Sequence, residues 1–523
     1  MSREVTPLLQ HLISSSLQQG IFPEKLKFAK VIPVHKGGSK SELSNYRPIS
    51  LLSCFSKLYE KAMHARLALF LAANDILYPS QYGFRGGHSC EHALLEAQSI
   101  LLNSLNKQQI SALLLIDFSK AFDMVDHSIL LCKLEHYGIR GIALDWFRSY
   151  LTNRSQYVHI NNVNSDKLNL RHGVPQGSIL GPLLFVVYIN DIPQINSLAK
   201  FILYADDANI IITADSFEEV QNKIEILLEN LQSWVYNNGL KLNIKKTKYY
   251  MIITNRPNIE IDVKLNGTPI ERSVCERFLG VLVDENLSWT DHIKSLASKI
   301  SRNSGIIYKL KGIVPESVLK TLYNSFIQSN LNFCSSVWGL RSKNSVEPLF
   351  RAQKKAIRAV EKGFNLLFYN KDTGECPCHT KEIFERNSFL TVHNLIAKNC
   401  LSMMHKVYYG HCPLPIKYLF LKPTLVNGRP RRVHKFFDIP LNRLKSADNA
   451  ISYKGPKFYN LIVNQINTEI LKNSSYKQPL MQNKFYDPFK KCVKGHLLQV
   501  QSDGDASWNF SNFPLYHDLQ ILE

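Results

Sequence analysis

The sequence predicts a mixed α/β fold followed by a mostly helical stretch, and three observations carry that reading. Between residues 46 and 255, apolar residues switch repeatedly between helical spacing and short continuous runs, as in strands interleaved with helices. Two of those runs end in, or bend at, aspartates. From 286 to 360 the helical pattern predominates.

Residues 1–45 read as a helix, a short strand over Phe28 to Val34 and a Lys/Gly/Ser turn. Leu94, Ala97, Leu101 and Leu105 share one helical face, entered from Gly86-Gly87. Ser89 stands where a hydroxyl can accept from an orphaned first-turn N–H. Ser111 to Ile116 is a buried strand that delivers Asp117 to its C-terminal end. Phe201 to Ala205 and Ala208 to Thr213 are two apolar arms around Asp206-Asp207, which predicts a β-hairpin. A helix over 217–238 has a capping box (Ser216-Phe-Glu-Glu219), apolar residues at Val220, Ile224, Leu227, Leu231 and Trp234, and Gly239 as its stop. Gly173-Val-Pro-Gln-Gly177 is a turn ahead of a helix over 182–190, and Phe278 to Val283 reads as a strand. The tail, 361–523, has fewer clear periods and a basic stretch, GRPRRVHK (428–435) followed by Phe436-Phe437, a mixture of bases and rings common on nucleic-acid surfaces. Nuclear targeting and a plain turn compete with that reading.

Composition bounds the answer. A chain of 523 residues has a prior of about three domains. Hydrophobic residues at 45% suffice for a sizeable core and exclude a disordered chain. Gly 24 and Pro 22 exclude collagen-like and low-complexity classes. No apolar run approaches the roughly 18 residues of a membrane span, and the N-terminus lacks the pattern of a signal peptide. The expectation is an intracellular protein of nucleus and/or cytoplasm, not secreted, with no membrane partner. Against 43 acidic residues, 63 Lys+Arg give a net charge of +20, which favours a polyanion: nucleic acid, anionic membrane or acidic protein. Ten scattered cysteines read as reduced thiols.

Asp117, Asp206 and Asp207 are the constellation of interest. An isolated Asp-Asp turn is ordinarily a solvated hairpin tip. Carboxylates at the ends of two buried strands are costly unless a cation neutralises them. Hard oxygen donors suit Mg²⁺, and two such ions clamp an in-line displacement at phosphorus.

Seven blocks in order then carry a resemblance: NYRPISLL (45–52), QYGFRGGHSCEHAL (81–94), FSKAFDMVDH (118–127), GVPQGSILGPLLFVVYINDIP (173–193), YADD (204–207), GLKLNIKKTK (239–248) and FLGVLVDENLSWTDHI (278–293). The chain resembles reverse transcriptases of non-LTR (LINE-like) retrotransposons, nearest to the jockey type, from about residue 22 to 360. Weaker echoes such as SYKGPKFYN (452–460) continue beyond. The resemblance implies a right-hand polymerase. Fingers and palm would occupy 22–255 after an N-terminal helical segment (1–21), a helical thumb 256–345, and a mostly α, basic C-terminal region 346–523. It implies RNA-directed DNA polymerase activity with two Mg²⁺ ions (Mn²⁺ as substitute), dNTPs, an RNA template and a DNA primer. The expected alternative is a catalytically silent, nucleic-acid-binding relic of a truncated element. An intron-encoded maturase-type enzyme fits less well, because no RNA-splicing domain is apparent. Room for the endonuclease domain of intact relatives is also lacking before residue 22.

Roles follow residue by residue. Asp117, Asp206 and Asp207 resemble the metal-binding acids of the palm. Phe122 stands where such polymerases place a bulky ring that excludes a ribose 2′-hydroxyl; an ordinary core Phe is the bland reading. Phe118 and Gln176 are grouped with the nucleotide, and Gly177 with the nucleic acid close to the nascent pair. Arg47 and Lys36 resemble fingers residues that close on the triphosphate, for which a guanidinium offers a bidentate fork. Arg85 is a candidate for template or nucleotide contact. Lys246 matches the family lysine that protonates the pyrophosphate leaving group. Asp123 and Asp126 are expected to fix turns or helix starts. Lys354, Lys355 and Arg358 share a helix face that would contact duplex phosphates, although most basic helix faces are merely solvated. Cys376, Cys378, His393 and Cys400 invite a zinc reading, but their gaps of one, fourteen and six residues depart from zinc motifs, leaving free thiols and histidines as the alternative.

Overall fold

The structure, a computed structural model, describes residues 2–252, 261–265, 267–361, 380–420, 437, 450–457, 459–460, 493–495 and 497–498. The chain forms two compact units: 1–88 with 112–249 and 257–272, and 89–111 with 250–256 and 273–523.

The first unit opens with α1 (Ser2–Gln19), which packs on α5 (Ile142–Leu151) and α2 (Cys54–Ala73). Phe22 anchors that junction: fully buried, it meets the rings of Tyr59, Trp146 and Tyr150 edge-on at 5.1 to 6.1 Å. One mixed sheet joins β1 (Phe28–His35), antiparallel to β2 (Tyr46–Leu51) and parallel to β4 (Ser155–Ile160). The two-residue strands β5 (Val163–Asn164) and β6 (Leu168–Asn169) are added to β4. The second sheet runs β12 (Glu271–Arg272), β9 (Lys248–Ile252), β3 (Ile110–Asp117), β8 (Asp207–Ala214), β7 (Lys200–Tyr204). Beyond β9 a small hairpin, β10 (Lys264–Leu265) and β11 (Thr268–Pro269), packs on α7 (Phe217–Asn237). As expected, Ser216 caps α7: its Oγ accepts from Glu219 N at 3.2 Å, Glu219 reaches back to Asp215 N, and Gly239 follows at φ +61°.

A helix buried on every side organises this unit. All of α6 (Leu180–Tyr188) except Pro182 is buried, between α2 and α4 (His127–His136). Its first and last residues are buried, and neighbours supply the charges its dipole wants. At the N-terminus Glu60, fully buried on α2, accepts from Ile179 N at 2.6 Å and Leu180 N at 3.2 Å, and from Ser56 Oγ. At the C-terminus Lys133 donates to Tyr188 O at 2.6 Å and Asp191 Oδ1 at 2.7 Å, with the Tyr188 and Trp234 rings beneath it. The Glu60 cap explains why the helix starts at 180 rather than at the expected 182.

In the second unit α3 (Cys90–Asn106), capped by Ser89, packs on α11 (Ser335–Trp338) and α15 (Leu414–Tyr418). The expected strand 278–283 is in fact a hairpin, β13 (Cys275–Phe278) and β14 (Val281–Asp284), because Leu279 and Gly280 turn the chain at φ +45° and +89°. Asp284, buried, then accepts from the N–H groups of Asn286, Ser288 and Trp289, and so builds the turn into α8 (Thr290–Leu310). Next come α9 (Glu316–Tyr323), a π-helical turn over Asn324–Gln328, and α10 (Ser329–Asn332). α12 (Lys343–Val360) lies along α8, which places the expected boundary at 345 inside one packed helical body; the expected boundary at 255 lies outside the described residues. α13 (Thr380–Arg386) and the largely buried α14 (Val392–Tyr408) complete it. Its central polar residue, Gln353, is fully paired with Tyr323 OH, Leu390 O and Val392 N.

Candidate active site

The site is assembled from strand ends of the first unit. β3 ends at Asp117, where the chain after α7 returns alongside it. Asn243 N donates to Asp117 O at 2.8 Å, Ser119 N to Lys241 O at 2.8 Å, and Leu242 bridges Phe118. This short pairing brings Lys246 Nζ to 3.8 Å from Asp117 Oδ2, with both groups partly open to solvent. Beside β3, the hairpin of β7 and β8 turns between paired Tyr204 and Asp207, with Ala205 forced to φ +56° and both aspartates exposed at the turn.

Protein crowding around that turn, more than any single charge, raises the carboxyl pKa values. Asp206 is raised by burial and by Asp117, with Arg47 and Lys36 opposing the shift. Asp207 is pushed up to about 6 by burial, then by Asp206 and Asp117. The side chains keep solvent contact although neighbouring atoms displace much of the surrounding water, so the shift describes a concave, acidic site and not a sealed one.

A cleft of about 1050 Å³ opens over these strand ends. It is lined by the acids Asp117, Asp206 and Asp123, by the cations Lys36, Arg47, Lys120 and Lys246, and by Phe118, Phe122 and Gln176. Asp207, next in the chain after Asp206, does not line it. Phe122 is half-buried, stacked on Phe185 at 4.6 Å and met edge-on by Phe84 at 6.3 Å. Gln176 Nε2 donates to Asp123 Oδ1 at 2.8 Å, and Gln176 O accepts from Ser50 N at 2.7 Å on β2. Gly177 has φ +131°, and a Cβ there would stand 2.4 Å from Ser50 O; only glycine lets this loop dock on the strand that bears Arg47. Asp126 accepts from Ser128 N and Ile129 N and caps α4, the helix-start role expected of it.

Other expected residues fall elsewhere. Arg85 is not in the cleft: half-buried, it donates through Nη1 to Tyr78 O and Gln81 O, which ties it to its own loop. Phe118 lines the cleft but is 5% exposed, its ring against Trp234, so most of it is core. Lys354, Lys355 and Arg358 lie on α12 of the second unit, where Lys355 is exposed and Lys354 Nζ sits 4.1 Å over the Phe350 ring. His393 is 1% exposed against Phe350, and burial drives the Cys400 thiol pKa far up. Cys376, Cys378 and the 428–436 stretch lie outside the described residues. Sequence reasoning missed Glu60, Gln81 and Gly83; the QYGF block contained two of them but gave no local sign of their partners.

Residues 34–294 match the reverse transcriptase (RNA-dependent DNA polymerase) family. The chain belongs to the reverse transcriptase family. It is 28% identical over 376 residues to the probable RNA-directed DNA polymerase from transposon BS of Drosophila melanogaster, covering 67% of this chain and 40% of that protein. It is 26% identical to the RNA-directed DNA polymerase from mobile element jockey of the same organism, covering 67% and 39%. The chain thus spans about 40% of the length of these curated relatives, which are non-LTR elements of the type that the motif order suggested. Among solved structures, a telomerase from Candida albicans in complex with a fragment of telomeric RNA aligns at TM-score 0.40 and 14% identity, covering 74% of this chain and 70% of that one.

By its chemistry the donor set at the cleft fits a hard divalent cation. Asp117, Asp206 and Asp207 offer only carboxylate oxygens, and such a cation would relieve the repulsion from Asp206 and Asp117 that adds to the effect of burial on Asp207. The fit is one of donor chemistry: among the described residues, no group of three or more His, Cys, Asp or Glu side chains is gathered closely enough to hold a metal ion. No described helix is long and apolar enough to cross a membrane.

Proposed function

We propose that this chain adds dNTPs to a primer 3′ end on an RNA template and releases pyrophosphate, as the polymerase part of a non-LTR retrotransposon. One observation carries the reading: Asp117, at the end of β3, and Asp206, in the adjoining β7–β8 turn, line one cleft together with Lys36, Arg47 and Lys246. A triphosphate needs that division, with cations for its oxygens and carboxylates for the metal that accompanies it.

Asp117, Asp206 and Asp207 would hold two Mg²⁺ ions, with Mn²⁺ as a substitute. Bound there, the metal supplies activation of the 3′-hydroxyl and neutralisation of the phosphates. The chain's own residues do the rest. Arg47 and Lys36 take phosphate oxygens from the β1–β2 side. Lys246, placed by the Asn243–Asp117 pairing, carries a proton to the leaving pyrophosphate. Phe122, fixed between Phe84 and Phe185, presents its ring to the sugar and favours deoxyribonucleotides. Gln176 and Gly177 set the loop beside the nascent pair, and the net charge of +20 holds RNA and duplex phosphates within nucleus or cytoplasm. In this reading the first unit contains fingers and palm, α8 to α12 belong to the thumb, and Lys354, Lys355 and Arg358 contact the duplex.

Extension of a DNA primer on an RNA template tests it. The purified chain with Mg²⁺ should release one pyrophosphate per dNTP incorporated. A folded protein that binds the primed template and incorporates nothing would instead be the silent relic.

A further inference from the structure

Five residues, Ser80 to Phe84, run beside the free side of β7 and meet the acidic turn from behind. Tyr82 N donates to Leu203 O at 2.8 Å, Leu203 N donates to Ser80 O at 2.9 Å, and Gln81 pairs with Leu203 in a parallel bridge. Gly83 lies so close that a Cβ would stand 2.2 Å from Ala205 N and 2.9 Å from Tyr204 C, both backbone atoms.

Gln81 itself is 1% exposed. Its Oε1 accepts from Gly83 N at 2.8 Å and from Ala205 N at 3.2 Å, the N–H of the residue held at φ +56°. Two N–H donors facing one end of the amide fix its orientation, since the NH₂ group cannot accept from them. Its Nε2 is buried and has no hydrogen-bond partner among the described residues. A buried donor left unpaired is unfavourable, and Gln353 in the other unit shows the usual solution, with every amide atom used. An apolar residue at 81 would avoid the unpaired donor but would leave Gly83 N and Ala205 N without their acceptor. The unfavourable residue and the unfavourable φ therefore coincide at one contact, behind the residue pair on which the site depends.

We propose that Gln81 is a positioning residue for the metal centre: its side-chain carbonyl, with the close approach of Gly83, pins the Ala205 N–H and so fixes where Asp206 and Asp207 present their oxygens. This rests on the reading of those aspartates as metal ligands. The carbonyl acts through the turn and touches neither nucleotide nor metal.

The test is Mn²⁺ binding to the full chain, followed by electron paramagnetic resonance, together with the Mg²⁺ dependence of primer extension and a thermal melt. Gln81→Met, close in shape but without the acceptor, should bind Mn²⁺ at least about tenfold more weakly and need correspondingly more Mg²⁺. Its dNTP KM at saturating metal should stay within about twofold, and it should melt cooperatively. Gln81→Glu, which keeps the acceptor, should lie nearer the unmutated chain. Gly83→Ala should behave as Gln81→Met does, through displacement of Ala205. Should Gln81→Met fail to fold, Gln81→Asn, whose carbonyl is one methylene short, is read in its place. A folded Gln81→Met that binds Mn²⁺ as the unmutated chain does overturns the proposal. If the unmutated chain binds no more Mn²⁺ than Asp206→Asn, the metal-centre reading fails, and this proposal with it.

Discussion

Lys246 and Phe122 show how much one side chain can carry at this site. Lys246 reaches Asp117 only because α7 stops at Gly239 and the returning chain pairs with the end of β3. As a proton donor it predicts that Lys246→Ala lowers kcat by about 10²-fold while dNTP KM changes little; single-turnover extension with equal primer-template binding checks this. A pure KM effect would make it a phosphate contact instead. Phe122 is clamped by two rings, so Phe122→Ala should admit ribonucleotides and narrow dNTP-over-NTP selectivity by at least tenfold, measured as the ratio of kcat/KM. Unchanged selectivity would return it to ordinary core. Asp117, Asp206, Asp207 and Gln176 were legible because their motifs are contiguous in sequence. Gln81 and Glu60 were not, because their partners lie about 120 residues away and no local periodicity records a single long-range hydrogen bond.

Elements were more legible than their junctions. The caps at Ser89 and Ser216, the strand ending at Asp117 and the acidic hairpin all follow from local chemistry, and the structure has each in place. The 278–283 run misled because a turn made by Leu279-Gly280 interrupts an otherwise uniform apolar stretch. The start of α6 misled because its cap comes from α2. That cap carries a stability prediction. Glu60→Ala strands two buried N–H groups at the α6 N-terminus and should cost on the order of 2–4 kcal/mol in chemical denaturation. Loss of less than about 0.5 kcal/mol would mean that water or another group caps the helix.

For the whole molecule, two buried histidines of the second unit set a lower pH limit. Burial depresses both His292 and His405 to about 4, against about 6.5 unfolded. The fold accepts the neutral rings, so their contribution is complete above pH 6.5 and is lost as pH falls toward 4. Denaturation midpoints should fall across that window, and a flat profile from pH 7 to 4.5 would contradict it. In the proposed reading the net excess of 63 basic over 43 acidic residues would hold the nucleic acid, and the few acids at the cleft would hold the metal. Removing one of those acids should therefore leave binding intact and abolish chemistry. The most direct measurement is dNTP incorporation on a primed RNA template by the unmutated chain and Asp206→Asn side by side, with binding of the same template followed in parallel. The account predicts equal binding and at least about 10²-fold slower incorporation by Asp206→Asn; equal incorporation by the two proteins would contradict it.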